Sequence, residues 1–203
     1  MKKVEKEISK QTGAATSATP HKKEEEAPPA EQPLTYWDHV NRAYEAAEKG
    51  DHDTAILEYT LAIAKDPTKP IAYNNRGVSY KDLGQHERAI EDYSKAIELD
   101  SLYSFAYNNR GISYRNLKQY EQAIQDYNKA IELDPNDDAA YNNRGFTYNH
   151  MEQYERAIED YCKAIELNPK YGRAYRNRAL SYRKLKKFDL AEADEAKAKE
   201  LDP

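Results

Sequence analysis

Tyr73-Asn74-Asn75-Arg76-Gly77 returns unchanged at Tyr107 and at Tyr141, each time 34 residues further along the chain. A variant, Tyr-Arg-Asn-Arg-Ala, begins at Tyr175, and a more divergent copy keeps Asn-Arg-Ala at residues 41–43. A fixed period of this length is typical of solenoid proteins, in which each repeat is one supersecondary unit. Because one such unit cannot bury its apolar face alone, neighbouring units stack into a continuous core.

The repeats define five units, and we number the positions of each unit from 1 to 34. The units are 36–69, 70–103, 104–137, 138–171 and 172–203. In units 2 to 4, apolar or small residues occupy positions 4, 8 and 11, and then positions 20, 21, 24, 27 and 28. Both sets follow the spacing of an amphipathic helix. Polar turns containing Gly50 and Gly84 lie between the helices of the first two units, and Pro67, Pro135 and Pro169 follow second helices. We therefore predict antiparallel helical hairpins joined by short loops.

The unit resembles the tetratricopeptide repeat in its length and in its signature residues. In unit 4 these residues are Tyr141, Gly145, Tyr148, Ala157, Tyr161, Ala164 and Pro169. The resemblance implies an all-α fold, a right-handed superhelical solenoid of five helix-turn-helix repeats over residues 35–203. One position departs from the family, since arginine stands at position 7 of every unit where leucine is usual.

Residues 1–34 contain six Lys, six Glu and four Pro and almost nothing large and apolar. Such a segment cannot bury enough surface to offset the entropy of ordering it, so we predict a disordered tail. The charged N-terminus lacks the apolar stretch of a secretory signal, and no run of 18 apolar residues predicts a transmembrane helix. Cys162 is the single cysteine and cannot form an internal disulfide, which favours a reducing, cytoplasmic compartment.

Every arginine at position 7 is accompanied by an acidic residue at position 23. In an antiparallel hairpin that turns near position 15, these two positions lie opposite one another, so we predict a salt bridge within each unit. The pairs are Arg42 with Glu58, Arg76 with Asp92, Arg110 with Asp126, Arg144 with Asp160, and Arg178 with Asp194. Two alternatives are that the arginines face a ligand, or that both partners are exposed and contribute ~0–1 kcal/mol.

A second stripe on the first helices, at positions 2, 5, 9 and 12, lines the concave groove in proteins of this family. With neighbouring basic residues, it predicts a peptide-binding groove formed by Trp37, Tyr44, Asn74, Val78, Asn108, Ile112, Asn142, Phe146, Arg173, Arg176, Arg183 and Lys184. The groove runs from aromatic and apolar at its N-terminal end to basic at its C-terminal end. We therefore expect an extended partner with an apolar residue at one end and acidic residues at the other.

Asparagine also fills position 6 of every unit, at Asn41, Asn75, Asn109, Asn143 and Asn177. Amide side chains both donate and accept hydrogen bonds, so such a row suits an extended peptide backbone. The alternative is that these asparagines bond locally or support the packing between helices.

In unit 5, positions 21, 24 and 28 are Glu192, Glu195 and Lys199, whereas units 1 to 4 have Ile, Tyr and Ile there. A terminal repeat with a polar outer face has this composition, so we expect unit 5 to cap the array. The same change predicts that Ile158, Tyr161 and Ile165 are buried beneath unit 5.

Several function classes are disfavoured by what the sequence contains. The five histidines and Cys162 have no spacing typical of a metal or catalytic site, so we expect a non-enzymatic protein without a cofactor. The net charge of −5 disfavours a nucleic-acid partner. No window of units fits the two-carboxylate clamp with which some family members bind chaperone C-termini. The sequence therefore predicts an adaptor that binds a protein or peptide. The alternative is a self-assembling structural protein whose acidic tail or helices meet the basic last unit of another copy.

Overall fold

The computed structural model describes residues 33–201. The predicted disordered tail therefore lies outside the described residues, except for Pro33 and Leu34. Ten α-helices occupy the described part of the chain. They are α1 Tyr36–Glu48, α2 His52–Lys65, α3 Pro70–Asp82, α4 His86–Leu99, α5 Ser104–Asn116, α6 Tyr120–Leu133, α7 Asp138–His150, α8 Tyr154–Leu167, α9 Gly172–Lys184 and α10 Phe188–Leu201. The helical solenoid expected from the repeats is confirmed.

The first helix of every unit begins at position 1, and local chemistry explains several of these starts. Thr35 and Asp38 form a capping box in front of α1, in which the Thr35 side chain accepts from the Asp38 amide. Pro70 opens α3, where its fixed φ angle suits the first turn and its missing N–H costs nothing. Asp137 caps α7 by accepting a hydrogen bond from the Ala140 amide at 3.0 Å.

Position 15 lies in the left-handed region of backbone conformation in all five units. Gly50 and Gly84 have φ angles of 77° and 73°, and Lys118, Glu152 and Lys186 have φ angles of 60°, 60° and 59°. Glycine adopts this conformation without steric cost, whereas residues with a Cβ atom do so at a cost of ~1–2 kcal/mol. The tight reversal between the two helices of a unit is therefore imposed by packing in units 3 to 5.

Each helix packs mainly against its neighbours in sequence, both within a unit and between consecutive units. The core between the two layers combines small residues with one tyrosine per unit at position 24 in units 1 to 4. Tyr93, Tyr127 and Tyr161 have no exposed surface and Tyr59 has 2%. The rings of Tyr93 and Tyr127 lie so close to α3 and α5 that a Cβ atom on Gly77 or Gly111 would stand 2.7 Å from Cε1. Glycine at position 8 therefore lets the tyrosine ring pack directly against the first helix in units 2 and 3.

The last unit differs from the others in the face turned away from unit 4. Glu192 and Lys199 are exposed, as expected for a polar outer face, whereas Glu195 is partly buried. Tyr161 is fully buried, whereas Ile158 and Ile165 retain part of their exposed surface, so the prediction of burial was too strong for the two isoleucines.

Candidate functional site

The arginines of units 2 to 5 form the predicted bonds with the acid at position 23 of the same unit. In unit 3, Arg110 Nε donates to Asp126 Oδ2 and Nη2 donates to Oδ1, both at 2.8 Å. The other three pairs have the same two-pronged geometry, with distances of 2.6 to 2.9 Å. They are Arg76 with Asp92, Arg144 with Asp160, and Arg178 with Asp194. These arginines are therefore structural and do not face a ligand.

The third donor of each guanidinium reaches the preceding unit at position 25. Arg76 Nη1 donates to Thr60 Oγ1 at 2.9 Å, and Arg110 Nη1 donates to Ser94 Oγ at 3.0 Å. The same atom of Arg178 donates to Cys162 Sγ at 3.0 Å. One side chain thus ties two units together, and the free thiol of Cys162 is an acceptor in this repeated contact.

Burial raises the pKa of Asp92, Asp126 and Asp160, and hydrogen bonds from the paired guanidinium oppose the shift. Burial disfavours the charged form of Arg110, but the hydrogen bonds to Asp126 together with the charge of that carboxylate outweigh this effect and raise the pKa of Arg110. The buried carboxylate is tolerated because two charge-assisted hydrogen bonds from the guanidinium group replace its hydrogen bonds to water.

Unit 1 contradicts the predicted pair of Arg42 and Glu58. Glu58 Oε2 lies 2.6 Å from Nδ1 of the buried His39, and Arg42 is exposed. His39 stands at position 4, where the other units have tyrosine. The longer glutamate and the nearby imidazole together remove the acceptor that the arginine fork finds in units 2 to 5.

The asparagines at positions 5 and 6 form a ladder between units. Asn109 Nδ2 donates to Asn74 Oδ1 at 3.2 Å, and Asn143 Nδ2 donates to Asn108 Oδ1 at 3.1 Å. Asn177 repeats the bond to Asn142 at 3.0 Å. Asn74, Asn108 and Asn142, which were predicted for the groove, are buried, and their side-chain oxygens accept these bonds. In the position 6 row, Asn109, Asn143 and Asn177 thus support the packing between helices, which was the alternative considered for that row.

A pocket of 520 Å³ opens on the concave side between units 2 and 5, and we call it the cationic pocket. Its lining residues are Lys81, Ile112, Arg115, Asn142, Asn143, Phe146, Arg173, Arg176 and Asn177. All four of its charged lining residues are cationic, although the whole chain has a net charge of −5. Five of the residues predicted to bind a peptide line this pocket: Ile112, Asn142, Phe146, Arg173 and Arg176. Lys81 and Arg115 occupy position 12 of the predicted stripe but were not among the predicted binding residues.

A second pocket of 340 Å³ lies next to the first, between units 4 and 5, and we call it the apolar pocket. Its lining residues are Phe146, Asn149, His150, Glu152, Tyr154, Leu180 and Lys184. The imidazole of His150 stacks on Tyr120, with 5.7 Å between ring centroids, and meets the edge of Phe146 at 4.8 Å. Burial and the charge of Arg115 lower the pKa of His150, which favours the uncharged imidazole. Lys184 was predicted to bind the peptide, and Leu180 occupies position 9 of the predicted stripe, whereas His150 was not predicted for the groove.

The N-terminal end of the groove has a different character from the one predicted. A pocket of 230 Å³ is lined by Tyr44, Ala47, Glu48, His52, Tyr59, Asn75, Val78, Ser79 and Asp82. The predicted residues Tyr44 and Val78 are present, but the two carboxylates make this end acidic as well as aromatic. Trp37 is exposed and packs edge-on against Tyr36, with 5.0 Å between ring centroids.

Arg183 was predicted to bind the partner, and the structure gives it another contact. Its Nε and Nη2 atoms donate to Glu195 on α10 at 2.6 and 2.7 Å. The pKa of Glu195 is lowered by these bonds. Arg183 thus holds the last two helices together and does not line either concave pocket.

Comparison with protein families gives matches over most of the described chain. Models described as "Tetratricopeptide repeat" match residues 70–101, 104–137 and 126–159, and one described as "TPR repeat" matches 43–84 and 147–186. The chain belongs to the tetratricopeptide repeat family. Members of this family are typically modules for protein interaction, and the chain is therefore a protein-interaction scaffold.

Solved structures show the same tetratricopeptide architecture. A crystal structure of MamA is 31% identical in sequence, with a TM-score of 0.70, and the match covers 78% of this chain and 93% of MamA. PilF of Pseudomonas aeruginosa is 21% identical, with a TM-score of 0.76 and coverage of 83% and 77%. YrrB, described as a TPR protein with an unusual peptide-binding site, is 20% identical, with a TM-score of 0.64 and coverage of 82% and 86%. No curated protein sequence gives a significant match.

The described part of the tetratricopeptide array has neither a cluster of potential metal ligands nor a helix that could span a membrane. Within residues 33–201, no group of three or more His, Cys, Asp or Glu side chains is placed to hold a metal ion. In the same part of the chain, none of the helices combines the length and the hydrophobicity that a membrane span requires.

Proposed function

We propose that this tetratricopeptide protein is a non-enzymatic adaptor that binds an extended, partly acidic protein segment in its concave groove. The observation that carries the proposal is the cationic pocket, in which Lys81, Arg115, Arg173 and Arg176 converge from three units. Among the described residues no acidic side chain lines this pocket, although the chain has a net charge of −5. An anionic partner would gain charge-assisted hydrogen bonds from the guanidinium groups there.

Several family features favour a peptide as the carrier of the anionic group. The groove is continuous over units that repeat along one direction, and solenoids use such extended concave surfaces for binding. The partly exposed amides of Asn143 and Asn177 lie in the wall of the cationic pocket, where they can contact a peptide backbone. A reducing cytoplasm is the compartment we propose, since Cys162 is the single cysteine and cannot form an internal disulfide.

The test compares binding of two fluorescein-labelled pools of degenerate decapeptides, one with a fixed Glu-Glu centre and one with a fixed Lys-Lys centre. Fluorescence anisotropy is measured for the wild type, for Arg173→Glu with Arg176→Glu, and for Lys186→Glu with Lys187→Glu. The last variant has the same change of charge within the exposed turn of unit 5. We expect the Glu pool to bind the wild type and the control at least about tenfold more tightly than the Lys pool, and the groove variant to lose this preference.

Salt dependence provides a second criterion for the same experiment. Screening acts over ~8 Å at physiological ionic strength, so binding of the Glu pool weakens as salt rises. Equal binding of the two pools to the wild type, or equal loss in both charge-reversed variants, contradicts the proposal. Light scattering of the free protein at low and high salt measures self-assembly, the alternative use of the same cations. Salt-sensitive oligomers without peptide binding would favour that alternative.

A further inference from the structure

We infer that the partner carries a large apolar side chain immediately beside its acidic group, and that this side chain enters the apolar pocket between units 4 and 5. The inference rests on the proposed function, because it names a second determinant within the same groove. It also differs from the expectation that the apolar residue of the partner lies at the far, N-terminal end.

The two pockets share a wall. Phe146 lines both of them, and the guanidinium carbon of Arg115 lies 5.1 Å from the centroid of its ring. A ligand group that binds Arg115 in the cationic pocket is therefore separated from the apolar pocket only by the ring of Phe146. Side chains two residues apart in an extended peptide lie on the same face, about 7 Å from each other. An acidic residue and an apolar residue within two positions of one another match this arrangement.

Leu180 is the clearest sign that the apolar pocket is incomplete without a partner. It occupies position 9 of unit 5 and is 52% exposed, whereas Val78, Ile112 and Phe146 at the same position of units 2 to 4 are partly buried. Tyr44 at position 9 of unit 1 is also exposed, at 57%, so this position is open in the two end units, and in unit 5 the open side chain lies in the wall of the apolar pocket. A large apolar ligand side chain would remove the Leu180 surface from water, which is favourable in proportion to the area buried.

The other walls suit an uncharged, bulky group. Tyr154 and the imidazole of His150 contribute ring surfaces, and the imidazole stacks on Tyr120. The volume of 340 Å³ lies near the lower end of the range of ~300–1,000 Å³ for small-molecule sites. It thus accommodates one large side chain and not a whole folded element. Lys184 and Glu152, which also line the pocket, have opposite charges. The apolar pocket therefore has no strong preference for a cationic or an anionic group.

The experiment is a positional scan of the Glu-Glu decapeptide pool, in which each flanking position is fixed in turn as Leu, Phe, Ser or Lys. Four proteins are compared by anisotropy: wild type, Leu180→Ser, Leu180→Met and Leu190→Ser. Leu190 is the matched control, since it lies in the same unit and is 49% exposed but lines neither pocket. Thermal unfolding of all four checks that they share one fold.

We expect Leu or Phe within two positions of the Glu pair to strengthen binding to the wild type by about fivefold to tenfold over Ser. This gain in affinity should persist in Leu180→Met and Leu190→Ser and disappear in Leu180→Ser. All four proteins should still prefer Glu-Glu to Lys-Lys at the centre of the decapeptide. Two results overturn this inference and leave the proposed function standing. In the first, the wild type prefers the Glu pool but gains no affinity from Leu or Phe. In the second, Leu180→Ser gains as much affinity from Leu or Phe as the wild type does. Loss of the Glu preference in the wild type defeats both.

Discussion

Arg110 and Asp126 form a two-pronged ion pair across the hairpin of unit 3, with both hydrogen bonds at 2.8 Å. The carboxylate is largely buried, and its side chain retains 8% of its exposure. The same pair recurs in units 2, 4 and 5, and each guanidinium also bonds the preceding unit. The array is thus linked by a repeated polar contact in addition to its apolar core.

Removing Arg110 should be far more harmful than removing a surface charge. Arg110→Ala leaves the buried Asp126 carboxylate without its partner, which we expect to lower the free energy of unfolding by ~3–5 kcal/mol. Lys95→Ala is the control, because it removes an exposed ion pair with Glu98 and should cost less than ~1 kcal/mol. Chemical denaturation measures both, and similar losses in the two variants would contradict a special role of Arg110.

The pH dependence of Arg110→Ala has a defined sign. Burial already raises the pKa of Asp126, and loss of the guanidinium raises it further in the folded state. An acid whose folded pKa exceeds its unfolded value, ~3.9 for Asp, penalises the fold at high pH. The difference in unfolding free energy between wild type and variant should therefore be small below about pH 4 and grow as pH rises to the raised pKa. A difference that is constant from pH 4 to pH 8 would exclude an unpaired carboxylate as the cause.

Gly111 should not tolerate a side chain while Tyr127 is present. A Cβ atom there would lie 2.7 Å from Cε1 of the fully buried tyrosine ring, so Gly111→Ala should destabilise the protein by ~1–3 kcal/mol through overpacking. Unit 5 has Ala179 at position 8 with Glu195 at position 24, whereas unit 1 combines Ala43 with the buried Tyr59, so the cost depends on how far the Tyr127 ring can shift. In a double-mutant cycle, Gly111→Ala should cost much less in a Tyr127→Leu background. Equal costs in the two backgrounds would show that the ring is not responsible.

The turns of units 3 to 5 offer a stabilising substitution. Lys118 has a φ angle of 60°, at the position where Gly84 has 73°. Lys118→Gly should raise the free energy of unfolding by ~0.5–1 kcal/mol, because glycine reaches this conformation without steric cost. Lys118→Ala is the control and should give no gain. Since Glu152 and Lys186 lie in separate turns, glycine at all three positions should give an additive increase in thermal stability.

Unit 1 should accept the ion pair of its neighbours once two residues are changed. His39→Tyr with Glu58→Asp restores the residues that surround the arginine in units 2 to 4, so Arg42 should turn to the carboxylate at position 58. We expect an increase of ~0.5–2 kcal/mol, typical of consensus substitutions. Glu58→Asp alone keeps the histidine in place and serves as the comparison. A crystal structure of the double variant with Arg42 still in solvent would contradict the explanation given for unit 1.

The repeat period and the helix pattern were sufficient to predict the fold, because each hairpin depends on residues within 34 positions of one another. The pairing of Arg76, Arg110, Arg144 and Arg178 with their acids also followed from the sequence, since both partners lie in one hairpin whose geometry fixes their distance. Arg42 was the exception, because its pairing depends on the neighbouring side chain of His39.

The binding surface depended on contacts between units, and the sequence alone could not resolve these. Asn74 and Asn108 belong to the predicted stripe, yet both side chains are buried and accept hydrogen bonds from the following unit. Arg183 is basic, yet Glu195 holds it to the last helix. Lys81 and Arg176 are 95 positions apart in the chain and line one pocket because the units curve around a common concave side. Local spacing thus determined the helices and the pairs within them, whereas the superhelical stacking of the units decided which side chains remain open to a partner.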